Sequence, residues 1–175
     1  MPCQETPSNK TPCRKPFHHV HIEIDAGDRQ TMNKVRVLFV DDDSSIRLLA
    51  AAMFNSKIFE IAIAANAAEA EKMLRASSFD VIVCDVMMPG ESGIEFCDRL
   101  RKSGVSTPFL FLSAVSNPDV INKGLEIGAK SYLLKPFEVK DLQRRILEVA
   151  PASVVAAALR AAHPPTPKSS RWFKR

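Results

Sequence analysis

The sequence predicts an α/β fold: a doubly wound, three-layer sandwich built on a five-stranded parallel sheet. Three observations carry this. Between residues 34 and 150, five short apolar runs alternate with five stretches of helical spacing. The runs are nearly continuous in apolar residues, as expected of strands covered on both faces. The chain of 175 residues is 46% hydrophobic and 25% charged, enough for one ordinary core and too short for two large domains.

Strands are expected at 35–40, 59–64, 81–86, 108–112 and 132–134, each rich in Val, Ile, Leu or Phe. The helices between and after them are expected at 44–54, 67–76, 93–102, 118–128 and 138–150. Ile46, Leu49 and Met53 recur at helical spacing in the first, and Leu142, Ile146 and Val149 do so in the last. Asp43 or Ser44 is placed to cap the first helix. Five βα units joined by right-handed crossovers give the flavodoxin-like strand order 2-1-3-4-5. Strands 1 and 3 are then neighbours, and the crevice at their C-terminal ends is the expected site.

Outside this unit the composition changes. Residues 1–33 read as a flexible arm, with Pro2, Pro7, Pro12 and Pro16 and one short alternating segment at 20–25. Cys13, His18, His19 and His21 lie there without any standard zinc spacing. Residues 151–175 form a C-terminal tail. Its alanine-rich part at 152–162 suits a short helix, since Pro151 is tolerated at a first turn and alanine is the best helix former. A Pro-rich basic end comes next, carrying Trp172-Phe173. Residues 34–149 hold 15 basic and 16 acidic side chains, whereas 150–175 hold five basic and none acidic. The net charge of +4 therefore describes the tail and not the body. No apolar run is long enough for a membrane span or a signal-peptide core. Four scattered cysteines make no disulfide framework, and Cys84 and Cys97 are expected as buried free thiols in a cytoplasmic protein.

The strand ends gather polar residues. The first strand runs into Asp41-Asp42-Asp43, the third ends at Asp85, the fourth at Ser113 and the fifth at Lys135. Carboxylates crowded together repel one another unless a cation lies between them. Oxygen ligands in an incompletely caged site suit Mg²⁺. A metal, the Lys135 ammonium and the Ser113 hydroxyl together match the oxygens of a phosphoryl group carried on a carboxylate. Each residue alone has a plainer use in capping, turns or packing, and their joint placement on four strand ends carries the inference.

The segments VLFVDDD (37–43), VIVCDVMMPGESG (81–93), FLFLSA (109–114) and YLLKPF (132–137) resemble the receiver domain of two-component response regulators, in order and spacing. The resemblance covers about residues 34–150. It implies Asp85 as phosphoacceptor, and Mg²⁺ held by Asp42, Asp85 and the backbone carbonyl of Met87, with Asp41 acting directly or through water. It further implies Ser113 as switch hydroxyl, Lys135 as phosphate-contacting lysine before a cis Lys135-Pro136 bond, and Tyr132 as aromatic switch. A sensor histidine kinase or a histidine phosphotransfer protein would donate the phosphoryl group. A downstream protein would read the face of helix 4, strand 5 and helix 5. The segment after residue 150 is short for an effector domain, so a stand-alone receiver is expected, acting as a switch and not as a metabolic enzyme.

Three rivals share these residues. A constitutive interaction adaptor would keep the fold with vestigial phosphorylation. A nucleic-acid-binding regulator would act through the basic end, but no reader motif comes after the core, so no nucleic-acid partner is expected. A metabolic phosphatase would need a second acid/base group near Asp85, where Met87 stands instead.

Overall fold

The computed structural model describes residues 33–54 and 56–163. The rest of the N-terminal arm, its 20–25 segment and Cys/His group, and the basic end from residue 164 lie outside the described residues. Strands β1 (Val35–Val40), β2 (Phe59–Ala64), β3 (Val81–Asp85), β4 (Phe109–Ser113) and β5 (Ser131–Leu134) form one parallel sheet in the order β2-β1-β3-β4-β5. Helices α1 (Ser44–Met53), α2 (Ala67–Ala76), α3 (Gly93–Lys102), α4 (Pro118–Glu126), α5 (Val139–Val149) and α6 (Ala152–Ala162) complete the order.

Side-chain alternation along each strand divides the core into two halves. Leu38, Val40, Ile82, Cys84, Phe109 and Phe111 face one way, against Ala67 and Ala70 of α2 and Phe96, Cys97 and Leu100 of α3. Val35, Val37, Phe39, Val81, Val83, Leu110 and Leu112 face the other, against Ala50 of α1 and Leu142 and Ile146 of α5. Every residue of β3 and β4 is buried, which explains why both read as unbroken apolar runs.

The element ends differ from the sequence expectation in small ways with local causes. Val86 falls outside β3, although its N–H still bonds the Leu112 carbonyl at 2.9 Å. Pro108 has no N–H to give the ladder and offers only its carbonyl, which accepts from Ile82 at 2.8 Å. Helix α4 stops at Glu126 because Gly128, at φ +99°, turns the chain into the left-handed region. Glu138 and Ala150 flank α5 as its caps.

One packing expectation fails. Leu49 points outward, 48% exposed, and Ala50 is buried in its place. Helix α1 is apolar on nearly every side (Ile46, Leu48, Leu49, Ala50, Ala51, Ala52, Met53), so periodicity left its phase open. The phase that seats Ala50 against the sheet wins.

Helix α6 forms over the expected residues and joins the core. Ala158 is fully buried, with Val154 and Val155 packed beside it on the α1/α5 side of the sheet. The apolar core therefore continues past residue 150. Cys84 and Cys97 are buried free thiols.

Candidate functional site

Five helices begin after the strand C-terminal ends, and the side-chain caps of four of them shape the loops there. Asp43 caps α1 by accepting the Ser45 N–H at 2.7 Å, which leaves Asp41 and Asp42 free to face the crevice. Ser92 caps α3 in a capping box with Glu95. Asn66 caps α2, and Asn117 caps α4 ahead of Pro118. Gly93 is required by close approach, because a Cβ there would lie 2.1 Å from the Asp85 carbonyl oxygen. Its N–H donates to the Val86 carbonyl at 3.0 Å, so α3 starts directly against the end of β3.

Residues at the C-terminal ends of β1, β3 and β5 meet in the crevice. One carboxylate oxygen each from Asp41, Asp42 and Asp85 lies within 4.8 Å of the other two. Asp41 and Asp85 are buried, and Asp42 is exposed. Lys135 Nζ donates to Asp41 Oδ2 at 2.7 Å and to Asp85 Oδ2 at 2.6 Å. The remaining oxygens are also engaged: Asp41 Oδ1 accepts the Asp43 N–H at 3.0 Å, and Asp85 Oδ1 accepts the Met87 N–H at 3.1 Å. Three carboxylates and one ammonium leave a formal charge of −2 in the crevice. That donor set fits a small hard divalent cation, which binds through a few carboxylates and keeps part of its water.

Burial pushes the Asp41 carboxyl above its ordinary range, although the bonds from Lys135 and the Asp43 N–H pull the other way. Burial also works against the charge on Lys135. Its hydrogen bonds and attraction to Asp41 and Asp85 outweigh that and raise it above the usual lysine range. The lysine is therefore a fixed positive charge at neutral pH.

Ser113 is fully buried at the end of β4, and its Oγ accepts the Val115 N–H at 3.0 Å. Tyr132, half-buried on β5, donates its hydroxyl to the Val115 carbonyl at 3.1 Å. Both therefore hold the same residue of the β4–α4 loop. The Tyr132 ring continues a file of aromatic contacts through Phe111 and Phe109 to Phe96 of α3. Lys135-Pro136 is cis. Met87 stands 61% exposed beside Asp85.

Two features escaped the sequence reading. Arg47 of α1 donates to the carbonyls of Asp41 and Asp42 at 2.9 and 2.7 Å, fixing the backbone that presents both carboxylates. An arginine in the first turn after an acidic run was the available signal. Arg99 of α3 joins Glu91 in the β3–α3 loop to Glu71 of α2. Residues so far apart in sequence gave no local sign of that.

Residues 37–147 match the family model of the response regulator receiver domain. The chain is 34% identical over 124 residues to the probable transcriptional regulator ycf27 of Cyanidium caldarium, covering 70% of this chain and 49% of that protein. It is 33% identical over 125 residues to the transcriptional regulatory protein DltR of Streptococcus agalactiae, covering 70% and 55%. It thus spans about half the length of the curated relatives it matches. The Francisella response regulator 1452 receiver domain superposes with a TM-score of 0.63 at 33% identity, over 66% of this chain and 96% of that one. Vibrio cholerae chemotaxis protein CheY4 gives 0.63 at 33% identity, over 66% and 98%.

Proposed function

Because the chain belongs to the response regulator receiver family, we propose that it accepts a phosphoryl group on Asp85 and uses the added charge to switch a protein-binding face. Receiver domains are signalling domains and not enzymes of metabolism, which sets the reaction class. The observation that carries the reading is the convergence of Asp41, Asp42 and Asp85 within 4.8 Å, with Lys135 bonded to two of them. In this reading the donor is a phosphohistidine on a sensor kinase or phosphotransfer protein. An Asp85 carboxylate oxygen forms the new P–O bond as the P–N bond breaks, and the imidazole leaves with the electron pair. Asp41, Asp42, Asp85 and the Met87 carbonyl would hold Mg²⁺, which when bound offsets the negative charge of the phosphoryl oxygens.

Lys135 already sits 2.6 Å from Asp85, so it can follow the charge from carboxylate to phosphoryl oxygen with little movement. Ser113 Oγ now accepts a backbone bond, and its own hydrogen remains to give to a phosphoryl oxygen. Pulling Ser113 toward the phosphoryl group would disturb Val115, and Tyr132 holds the same residue. That chain of contacts would carry the change to the face of α4, β5 and α5, where a downstream protein would read it. The relatives named as transcriptional regulators supply a second reading of the output, in which phosphorylation controls gene expression. No helix among the described residues is long and apolar enough to cross a membrane, and a cytoplasmic location is proposed with the rest.

The test is incubation with a small phosphodonor and Mg²⁺, read by intact mass. One phosphoryl group should be added, and chelation of the metal or the Asp85→Asn substitution should abolish it. Modification that persists in the Asp85→Asn protein would overturn the assignment.

A further inference from the structure

The β3–α3 loop carries the proposed carbonyl ligand Met87, and α3 fixes its far end tightly. Gly93 lies against the Asp85 carbonyl, and Ser92 is locked in the capping box with Glu95. Between these anchors the loop turns through Gly90 at φ +81° with Met87 open to solvent. Glu91 supplies a lateral hold. Both of its carboxylate oxygens accept from Arg99, from Nε at 2.7 Å and from Nη2 at 2.9 Å. The third nitrogen, Nη1, bonds Glu71 of α2 at 2.7 Å. Arg99 also lies over the Phe96 ring at 5.5 Å, so a buried aromatic sets where the guanidinium can rest.

We infer that Arg99 is a positioning residue for the metal and phosphoacceptor site: it ties the Met87–Glu91 stretch to α2 and holds the Met87 carbonyl in place for the cation. Arg99 lies on α3, outside the strand-end motifs that build the site, and it touches neither the cation nor Asp85 in this reading. Its effect passes through Glu91. The planar fork matters, because only a guanidinium can bond one carboxylate through two nitrogens while giving a third to another helix. Lysine would keep the charge and lose that geometry. The inference rests on the proposed Mg²⁺ site and adds to it a residue that no metal-ligand motif would include.

Arg99 is 41% exposed at its side chain, and Glu91 and Glu71 are 30% and 26% exposed. Pairs of that exposure are individually weak, so the expected loss is roughly two- to fivefold in Mg²⁺ affinity and not abolition.

The experiment is Mg²⁺ titration of the full chain by calorimetry, with the urea midpoint measured alongside, for the parent and for Arg99→Met, Arg99→Lys, Glu91→Gln and the Arg99→Met/Glu91→Gln pair. Arg99→Met and Glu91→Gln should each weaken Mg²⁺ by that factor, and the double variant should be no weaker than either alone. Arg99→Lys should recover only part of the loss. A parent that binds Mg²⁺ and an Arg99→Met protein that binds it equally well would overturn the inference alone. Losses that multiply in the double variant would also overturn it, since Arg99 would then not act through Glu91. A parent that does not bind Mg²⁺ would overturn the metal reading and this inference with it. Should Arg99→Met fail to fold, Arg99→Lys and Glu91→Gln carry the same comparison.

Discussion

Replacing Gly93 by alanine should destabilise the protein far more than one methyl group suggests. The new Cβ would sit 2.1 Å from the Asp85 carbonyl oxygen, 3.0 Å from its carbon and 3.1 Å from Cys84 Sγ. Restoring an ordinary contact of 3.4 Å requires backbone movement of about 1.3 Å, because the closest atom belongs to the main chain of β3 and not to a flexible side chain. Either α3 lifts from the sheet or the end of β3 bends away. Lifting α3 strains the Gly93–Val86 hydrogen bond and the Ser92–Glu95 capping box, and it loosens the packing of Phe96 and Cys97. Overpacking, a lost hydrogen bond and a weakened cap together cost about 3–5 kcal/mol. That is a large share of the roughly 5–15 kcal/mol that holds a domain of this size folded. In urea, with a slope of about 1.5–2 kcal/mol per molar, the midpoint should fall by about 2 M. A fall under about 0.5 M would refute the reasoning, since α3 would then be free to move away from the end of β3 at little cost.

Other perturbations test separate parts of the molecule. Removing every residue after Ala150 takes away Ala158, Val154 and Val155, and should cost about 2–4 kcal/mol by thermal or urea unfolding. An unchanged midpoint would show that α6 adds nothing to the core. Burial pushes the Cys97 thiol up to about 11, whereas an unfolded thiol titrates at about 8.5. The native state therefore holds more protons in that window, and stability falls as pH rises through it. The urea midpoint should drop between pH 8 and 10.5 more steeply in the parent than in Cys97→Ala, and parallel slopes would contradict this. In the proposed reading Met87 and Val115, two residues past Asp85 and two past Ser113, would flank the approach of water to the phosphoryl group, and neither can orient a water by hydrogen bonding. The pair Met87→Asn and Val115→Glu should speed loss of the phosphoryl group by roughly tenfold, equivalent to about 1.4 kcal/mol of barrier. Equal lifetimes measured after donor removal would refute it.

Much of the fold was legible because β1 to β4 are rich in apolar residues and each leads into a helix with a side-chain cap. β1, β2, α2, α3 and α6 fall on the residues their patterns indicate. The phase of α1 was not legible, since a helix with apolar side chains on nearly all sides offers several faces and only the sheet chooses among them. The gathering of Asp41, Asp42, Asp85, Ser113 and Lys135 follows from strand order alone, because four strand ends share one rim of the sheet. The supports were hidden. Arg47 acts on backbone carbonyls, which no side-chain pattern records, and Glu71, Glu91 and Arg99 come from three elements whose contact depends on how α2 and α3 pack. The attachment of α6 was hidden for a related reason. An alanine-rich stretch predicts a helix without saying what it rests on.

The central claim is that Asp85 carries the phosphoryl group, and reductive trapping tests it most directly. Borohydride converts an aspartyl phosphate to homoserine and leaves a free carboxylate unchanged, so peptide mass spectrometry after reaction with the phosphodonor and Mg²⁺ reads the position itself. Homoserine is expected at residue 85, with aspartate retained at 41 and 42. Homoserine at either of those two positions, or at none of the three in protein that has gained the phosphoryl mass, would contradict the claim.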